Sequence, residues 1–151
     1  MLLLEAHHVK HYVQERLLLD VDQLQIHQSD RIGLVGRNGS GKTTLLQILA
    51  EKISPEEGTV IQRTQCELLP IIVSHDRAFL DALCTTIWEI NEGKIRGYTG
   101  NYSHYVEQKE VESHQEQLAY EKYEKKEKAV RRSIKIKREK SGKSNKSSKK
   151  R

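Results

Sequence analysis

"RIGLVGRNGSGKTTLLQILA", Arg31 to Ala50, carries three consecutive signals in twenty residues. Residues 31–36 form a short, continuous apolar run ending in glycine, the pattern of a buried parallel strand. Gly36 to Thr43 then match G-x-x-x-x-G-K-[ST], a phosphate-binding loop. Residues 42–53 put Leu45, Ile48 and Leu49 on one helical face, and "SPEEG" breaks the pattern. The order strand, glycine loop, helix predicts an α/β fold of the P-loop NTPase kind.

Each residue type in the loop has a chemical reason. Gly36, Gly39 and Gly41 permit positive φ, so that backbone N–H groups converge on phosphate oxygens, with Asn38 and Ser40 between them. The helix N-terminus at Thr43 and Thr44 adds partial positive charge. Lys42 neutralises the β and γ phosphates, and the Thr43 hydroxyl is the candidate Mg²⁺ ligand. ATP and Mg²⁺ are therefore the expected cofactors. Such a loop is usually accompanied by an apolar strand ending in acidic residues, which holds the metal and activates water. No strand here ends in that pair: in "TIWEINE", Glu89 lies inside the alternation and Glu92 sits in a turn.

Outward from this stretch, residues 2–9 and 17–27 read as two antiparallel strands closed by the turn at Gln28-Ser29-Asp30. "TVIQR" (59–63) is a further strand candidate, and "IIVSH" (71–75) a buried one. "DRAFLDALC" (76–84) reads as a helix with Asp76 at its favourable N-terminal end. Residues 86–100 alternate around Asn91-Glu92-Gly93 as a hairpin. From Tyr102 to about Lys140 the chain is helical, with Ala119, Tyr123, Val130 and Ile134 on a narrow apolar stripe. Residues 141–151 are basic, of low complexity, and predicted to be disordered.

The formal net charge of +5 conceals a division: residues 121–151 carry fifteen Lys/Arg against four Asp/Glu, and residues 1–120 carry eleven against seventeen. An acidic body thus precedes a basic end, which suits a polyanionic partner such as RNA or, equally, a solvated helix face. No run approaches the length of a membrane helix, and Leu2-Leu3-Leu4 is too short for an export signal, so the expected location is the cytoplasm. Cys66 and Cys84 lack metal-ligand spacing and read as free thiols. His7 and His8 have no partners at ligand spacing.

"RIGLVGRNGSGKTTLLQILA" together with "IIVSHDRAFLDALCTTIWEINEGKIRGYTGNYSHYVEQKE" resembles the first nucleotide-binding cassette of the ABC-F proteins, ATP-binding-cassette ATPases that act on ribosomes. "VSHDRAFLD" and the Y-x-G-N-Y-S-x-Y run from Tyr98 to Tyr105 carry the likeness to that branch. "KHYVQERLLLD", "CELLP" and "CTTIWEI" further resemble its Vga-type antibiotic-resistance members. The resemblance implies a partial cassette with an antiparallel β subdomain over 1–100, the start of a helical inter-cassette linker over 101–140, and a basic tail over 141–151. It implies ATP and the ribosome or its RNA as partners, and no membrane. By motif match Tyr12 resembles the aromatic that stacks on adenine, the alternative being a core or turn tyrosine. His75 matches the switch histidine that contacts the γ-phosphate.

The likeness falls into two blocks, 1 to about 70 and 71 to about 140. In the family a glutamine loop, an LSGGQ-like signature, the Walker B Asp-Glu pair and a D-loop separate them, whereas here Lys42 and His75 are 33 positions apart. Leu69-Pro70-Ile71 is therefore read as the junction of an internal deletion, and the second cassette is absent from this sequence. The expectation is ATP binding with doubtful hydrolysis. The family's sheet also implies that strand 71–74 pairs beside strand 31–35, leaving Ile71-Ile72-Val73 as an apolar edge. Two other functions stay open: the ATP-binding subunit of an ABC transporter, and a non-enzymatic basic RNA-binding fragment.

Overall fold

A computed structural model describes residues 1–65 and 69–147. In chain order the elements are β1 (Leu2–Val13), β2 (Arg16–His27), β3 (Ile32–Val35), α1 (Lys42–Leu49), β4 (Glu57–Gln62), β5 (Ile71–Ile72), α2 (Arg77–Leu83), β6 (Thr86–Asn91), β7 (Lys94–Thr99) and α3 (Tyr102–Ser147). The fold is mixed α/β, as expected. Residues 1–108 and 109–151 separate as two compact units. The first turns of α3 belong to the first unit.

Three strands form an antiparallel sheet in the order β2-β1-β4. Gln14 and Glu15 turn β1 into β2 with positive φ. On the other side of β1, the ladder to β4 slips between His7 and Lys10. There Gly58 has φ +90°, and a Cβ on it would stand 2.4 Å from the His8 carbonyl oxygen. Only glycine fits. Gly58→Ala is expected to destabilise the chain by about 2–4 kcal/mol, the sum of left-handed strain and a backbone clash, read as a lower urea midpoint at unchanged slope.

The second sheet has the order β5-β3-β6-β7. β3 is parallel to both neighbours, with Ile32 opposite Ile71 on one side and Thr86 on the other. β6 and β7 are the predicted hairpin. Alternation along β3 and β6 sorts side chains to two cores. Ile32, Leu34, Trp88 and Ile90 join Leu45, Ile48 and Leu49 of α1, while Val35 and Ile87 join Leu80 and Cys84 of α2. The three α1 residues are each 1% exposed, and burying each contributes about 1.5–3 kcal/mol. β5 lies at the sheet edge, as expected of the apolar 71–73 segment, and Val73 is 46% exposed.

Three boundaries differ from expectation. α1 ends at Leu49 rather than 53, because Glu51 takes a left-handed φ of 57° and the Glu51 and Lys52 N–H groups bond back to Ile48 and Gln47. β5 spans two residues rather than five: it makes two pairings with β3, and Ser74 to Asp76 then turn into α2. α3 runs through Ser147, where disorder was predicted from residue 141. That segment contains no proline and a single glycine, Gly142, and lysine is a good helix former. Cys84 is a buried free thiol, as expected, whereas Cys66 lies outside the described residues. Along α3, Tyr123, Val130 and Ile134 of the apolar stripe are exposed. No described helix is long and apolar enough to cross a membrane.

A candidate phosphate site between β3 and α1

The loop leaving β3 is shaped by two left-handed glycines, Gly39 at φ 79° and Gly41 at φ 103°. Between them the Ser40 N–H closes a turn on the Arg37 carbonyl at 3.1 Å. Gly41 then starts α1, its carbonyl accepting from Leu45 N–H at 2.8 Å. No side chain caps this helix N-terminus. Its first-turn amides and partial positive charge are available to an anion. The Lys42 ammonium donates to the Gly36 carbonyl at 2.7 Å and so lies over the mouth of the loop. The Ser40 hydroxyl is buried and has no hydrogen-bond partner among the described residues. A buried hydroxyl left in that state costs free energy until a ligand satisfies it.

These features fit phosphate. A phosphate in the loop would meet the Ser40 hydroxyl, the amides of the first turn and the Lys42 ammonium, which would exchange a carbonyl for charge-assisted bonds. Asn38, Thr43 and Thr44 lie with Gly39, Gly41 and Lys42 around a cleft of about 260 Å³ against Leu18 of β2. For Mg²⁺ the chain offers the Thr43 hydroxyl. Among the described residues no group of three His, Cys, Asp or Glu side chains is placed to hold a metal. Most ligands of such an ion would come from phosphate oxygens and water, a common arrangement for magnesium.

A second cleft, of about 630 Å³, opens from Gly36 and Lys42 toward α2, β6 and the start of α3. His75 lines it, so the structure brings the predicted histidine to the same cavity as the predicted lysine. Tyr12 does not line it. That residue stands near the end of β1, 36% exposed, with Leu17 opposite. Leu17 borders a third cleft, of about 420 Å³, whose other walls include Asn38, Gly39 and Ser40.

Sequence reasoning missed most of the wall of the large cleft. Glu89, Glu92, Tyr102 and Tyr105 all line it. The available signal was β6 itself, an apolar strand whose Glu89 falls opposite Val35, one residue before the phosphate loop. Tyr105 donates a hydrogen bond to the Glu89 carboxylate; burial first, and then this charge, push its phenol well above the usual range. Its ring meets Tyr98 edge-on at 5.1 Å and Tyr102 at 5.5 Å, and Arg77 lies 5.9 Å from the Tyr102 ring centre. The Tyr98–Tyr105 run therefore fastens the beginning of α3 to β6, β7 and α2.

Asp76 caps α2 by accepting from Phe79 N–H at 3.2 Å, the helix-start role expected of it. Asp81 accepts from Ser103 N–H at 2.8 Å, while Asn101 accepts from His104 N–H at 3.1 Å. Two orphan amides of α3 are thereby satisfied. The Ser103 hydrogen bonds hold the Asp81 carboxyl below its usual range against the opposing effect of burial. A depressed folded-state pKa means stability that is present above about pH 4, the unfolded value, and lost as pH falls through the lower folded value. Acid unfolding followed at 222 nm should therefore drop less steeply below pH 4 in Asp81→Ala than in wild type.

Comparison with known proteins follows the same lines. A family model described as ABC transporter matches residues 19–149. The erythromycin resistance ATP-binding protein MsrA of Staphylococcus epidermidis is 25% identical over 190 residues, covering 72% of this chain and 39% of that protein. Ribosome protection protein VmlR of Bacillus subtilis is 36% identical over 77 residues, 51% of this chain and 12% of its own length. ABC transporter F family member 5 of Arabidopsis thaliana is 50% identical over 52 residues, 34% of this chain and 8% of its own. The chain thus spans 39% or less of these relatives. Among solved structures, the ATP-binding subunit of an ABC transporter aligns with TM-score 0.54 over 64% of this chain and 90% of that one, at 10% identity, a likeness of fold alone.

Proposed function

This chain belongs to the ABC transporter family, and we propose that it is an ABC-F-type cassette that binds ATP through the loop Gly36–Thr44 and serves a protein acting on the ribosome. The observation that carries the nucleotide reading is the loop itself. Two left-handed glycines, a placed Lys42 and an unsatisfied buried Ser40 hydroxyl surround an open helix N-terminus. ATP would supply its phosphates to that loop, with Lys42 neutralising charge and Thr43 offering its hydroxyl to Mg²⁺. His75 would face the terminal phosphate across the large cleft, and Tyr12 would stack on the base.

The ribosome-directed role is supported by relatives named for erythromycin resistance and ribosome protection. The Vga-type subtype within that branch is supported by sequence likeness alone. Residues 1–100 are proposed as a partial nucleotide-binding domain, with the linker beginning at about residue 101. An internal deletion near Leu69-Pro70-Ile71 fits the match to MsrA, which runs over 190 residues while taking in 72% of a 151-residue chain. It also fits the position of β5 at the sheet edge. A cytoplasmic location accords with the absence of a membrane-spanning helix among the described residues.

Equilibrium binding of ATP in the presence of Mg²⁺ tests this reading. Failure of ATP to bind the folded chain would sink it. The basic half of α3 supports a second reading, an RNA-binding fragment that needs no nucleotide. In that case RNA affinity falls steeply with salt and is the same with and without ATP.

A further inference from the structure

Near Tyr12 the two ladders of β1 change: one shifts register and the other ends. Its pairing with β2 shifts between His11 and Tyr12, so that Tyr12 stands opposite Leu17 and His11 opposite Leu19. Its ladder to β4 ends at Lys10 opposite Glu57. Beyond that point the backbone of β1 has no further rung on the β4 side. Glu56, one residue ahead of β4, fills the gap. Its N–H donates to the Lys10 carbonyl at 3.1 Å, and its carboxylate oxygen accepts from Tyr12 N–H at 3.1 Å. The same oxygen lies 2.8 Å from Nδ1 of His11, whose side chain is 13% exposed. One carboxylate therefore takes the place of the missing rung at Tyr12 and stands beside the ring of His11.

What it grips is an aromatic with a free face. Tyr12 is 36% exposed, and its ring takes part in neither of the aromatic contacts among the described residues. Its strand neighbour Leu17 borders the cleft whose other walls include Asn38, Gly39 and Ser40 of the phosphate loop, together with the β6–β7 turn. Glu56 also follows α1 in the chain, beyond Ile53 and the Ser54-Pro55 step, and Ile53 packs against the core that holds α1. The helix that begins at the phosphate loop is thus connected, within a few residues, to the group that fixes the aromatic.

From this geometry we infer that Glu56 is a positioning residue for the nucleobase: by holding the Tyr12 backbone at the end of β1, it presents the ring to the base of a purine nucleoside triphosphate bound at the phosphate loop. The inference rests on the nucleotide reading of the loop. Its consequence is a division of labour. The phosphate loop recognises any polyphosphate, and Glu56, through Tyr12, supplies the preference for one that carries a base. A ring held in place loses less conformational freedom on stacking than one that swings.

Inorganic tripolyphosphate and ATP separate the two contributions. Isothermal titration of the full chain with each ligand, in Mg²⁺, would be compared for wild type, Glu56→Ala, Glu56→Gln and Tyr12→Ala. Wild type should prefer ATP to tripolyphosphate. In Glu56→Ala the ATP affinity should fall about tenfold, the worth of one hydrogen bond and the order it imposes, while tripolyphosphate binds as before. Tyr12→Ala should show the same selective loss. Glu56→Gln keeps an oxygen for Tyr12 N–H and should retain most of the preference for ATP. Unchanged ATP affinity in Glu56→Ala would overturn the inference while leaving the nucleotide reading intact. An equal loss of both ligands would overturn it too, marking Glu56 as a general support of the fold. Wild type that binds neither ligand would remove the nucleotide reading and the inference with it.

Discussion

Lys42→Ala should abolish the rise in Tm that ATP and Mg²⁺ give the wild-type chain. A ligand that binds only the folded state stabilises it by about 2.7 kcal/mol at one hundred times its Kd. For a chain of this size each kcal/mol moves Tm by roughly 2–4 °C, so saturating ATP is expected to raise the wild-type midpoint by about 5–11 °C. Lys42 controls this because of its position. Its ammonium already lies on the loop, bonded to the Gly36 carbonyl at 2.7 Å. It can turn to a phosphate without the backbone moving. Removing it takes away a charge-assisted contact and leaves several phosphate charges facing amides alone. The lysine is only partly buried and lies outside both apolar cores, so the variant should melt at the wild-type temperature without ligand. A ligand-free Tm well below wild type would mean instead that Lys42 holds the loop together. Undiminished stabilisation by ATP in the variant would mean that nucleotide binds elsewhere.

Local chemistry made part of this architecture readable from residues alone. The segment from Ile32 to Leu49 is legible because each step has a local cause: an apolar run, glycines where φ must be positive, and a helical face of Leu45, Ile48 and Leu49. The β6–β7 hairpin is legible for the same reason, since Asn91-Glu92-Gly93 can hardly do anything but turn. The position of β6 beside β3 is another matter. That pairing is a choice among strands made by tertiary packing, and it converts Glu89 from one alternating residue of a hairpin into a wall of the large cleft. Asp81 shows the same limit: nothing within α2 announces that its carboxylate meets an amide 22 residues later. The short β5 follows from having two pairings with β3 and no strand outside it. The glycine-rich half of the candidate site was thus legible from the sequence. Its carboxylate and aromatic half depended on strands and helices brought together from distant positions.

That second half bears on the other large expected effect, which concerns turnover. With Mg-ATP, the chain should bind nucleotide and release phosphate at a rate close to that of ATP free in buffer. Hydrolysis needs a carboxylate or equivalent base within hydrogen-bond reach of the attacking water, and losing such a group typically forfeits about 10²–10⁴ in rate. The large cleft contains two carboxylates, Glu89 and Glu92. Glu89 accepts the Tyr105 hydroxyl, a bond that occupies it with holding the start of α3. Glu92 sits in the β6–β7 turn with φ at 51°, set by the hairpin rather than by the phosphate loop. His75 is exposed at the cleft and belongs to no described carboxylate pair that would orient its ring. Neither glutamate is built for the task, so Glu89→Gln and Glu92→Gln should leave phosphate release unchanged, and Glu89→Gln should instead loosen the first turn of α3. Single-turnover measurement with radiolabelled ATP decides the matter. Lys42-dependent release well above background, lowered by Glu89→Gln with the fold intact, would show that the chain has recruited a strand carboxylate as its base.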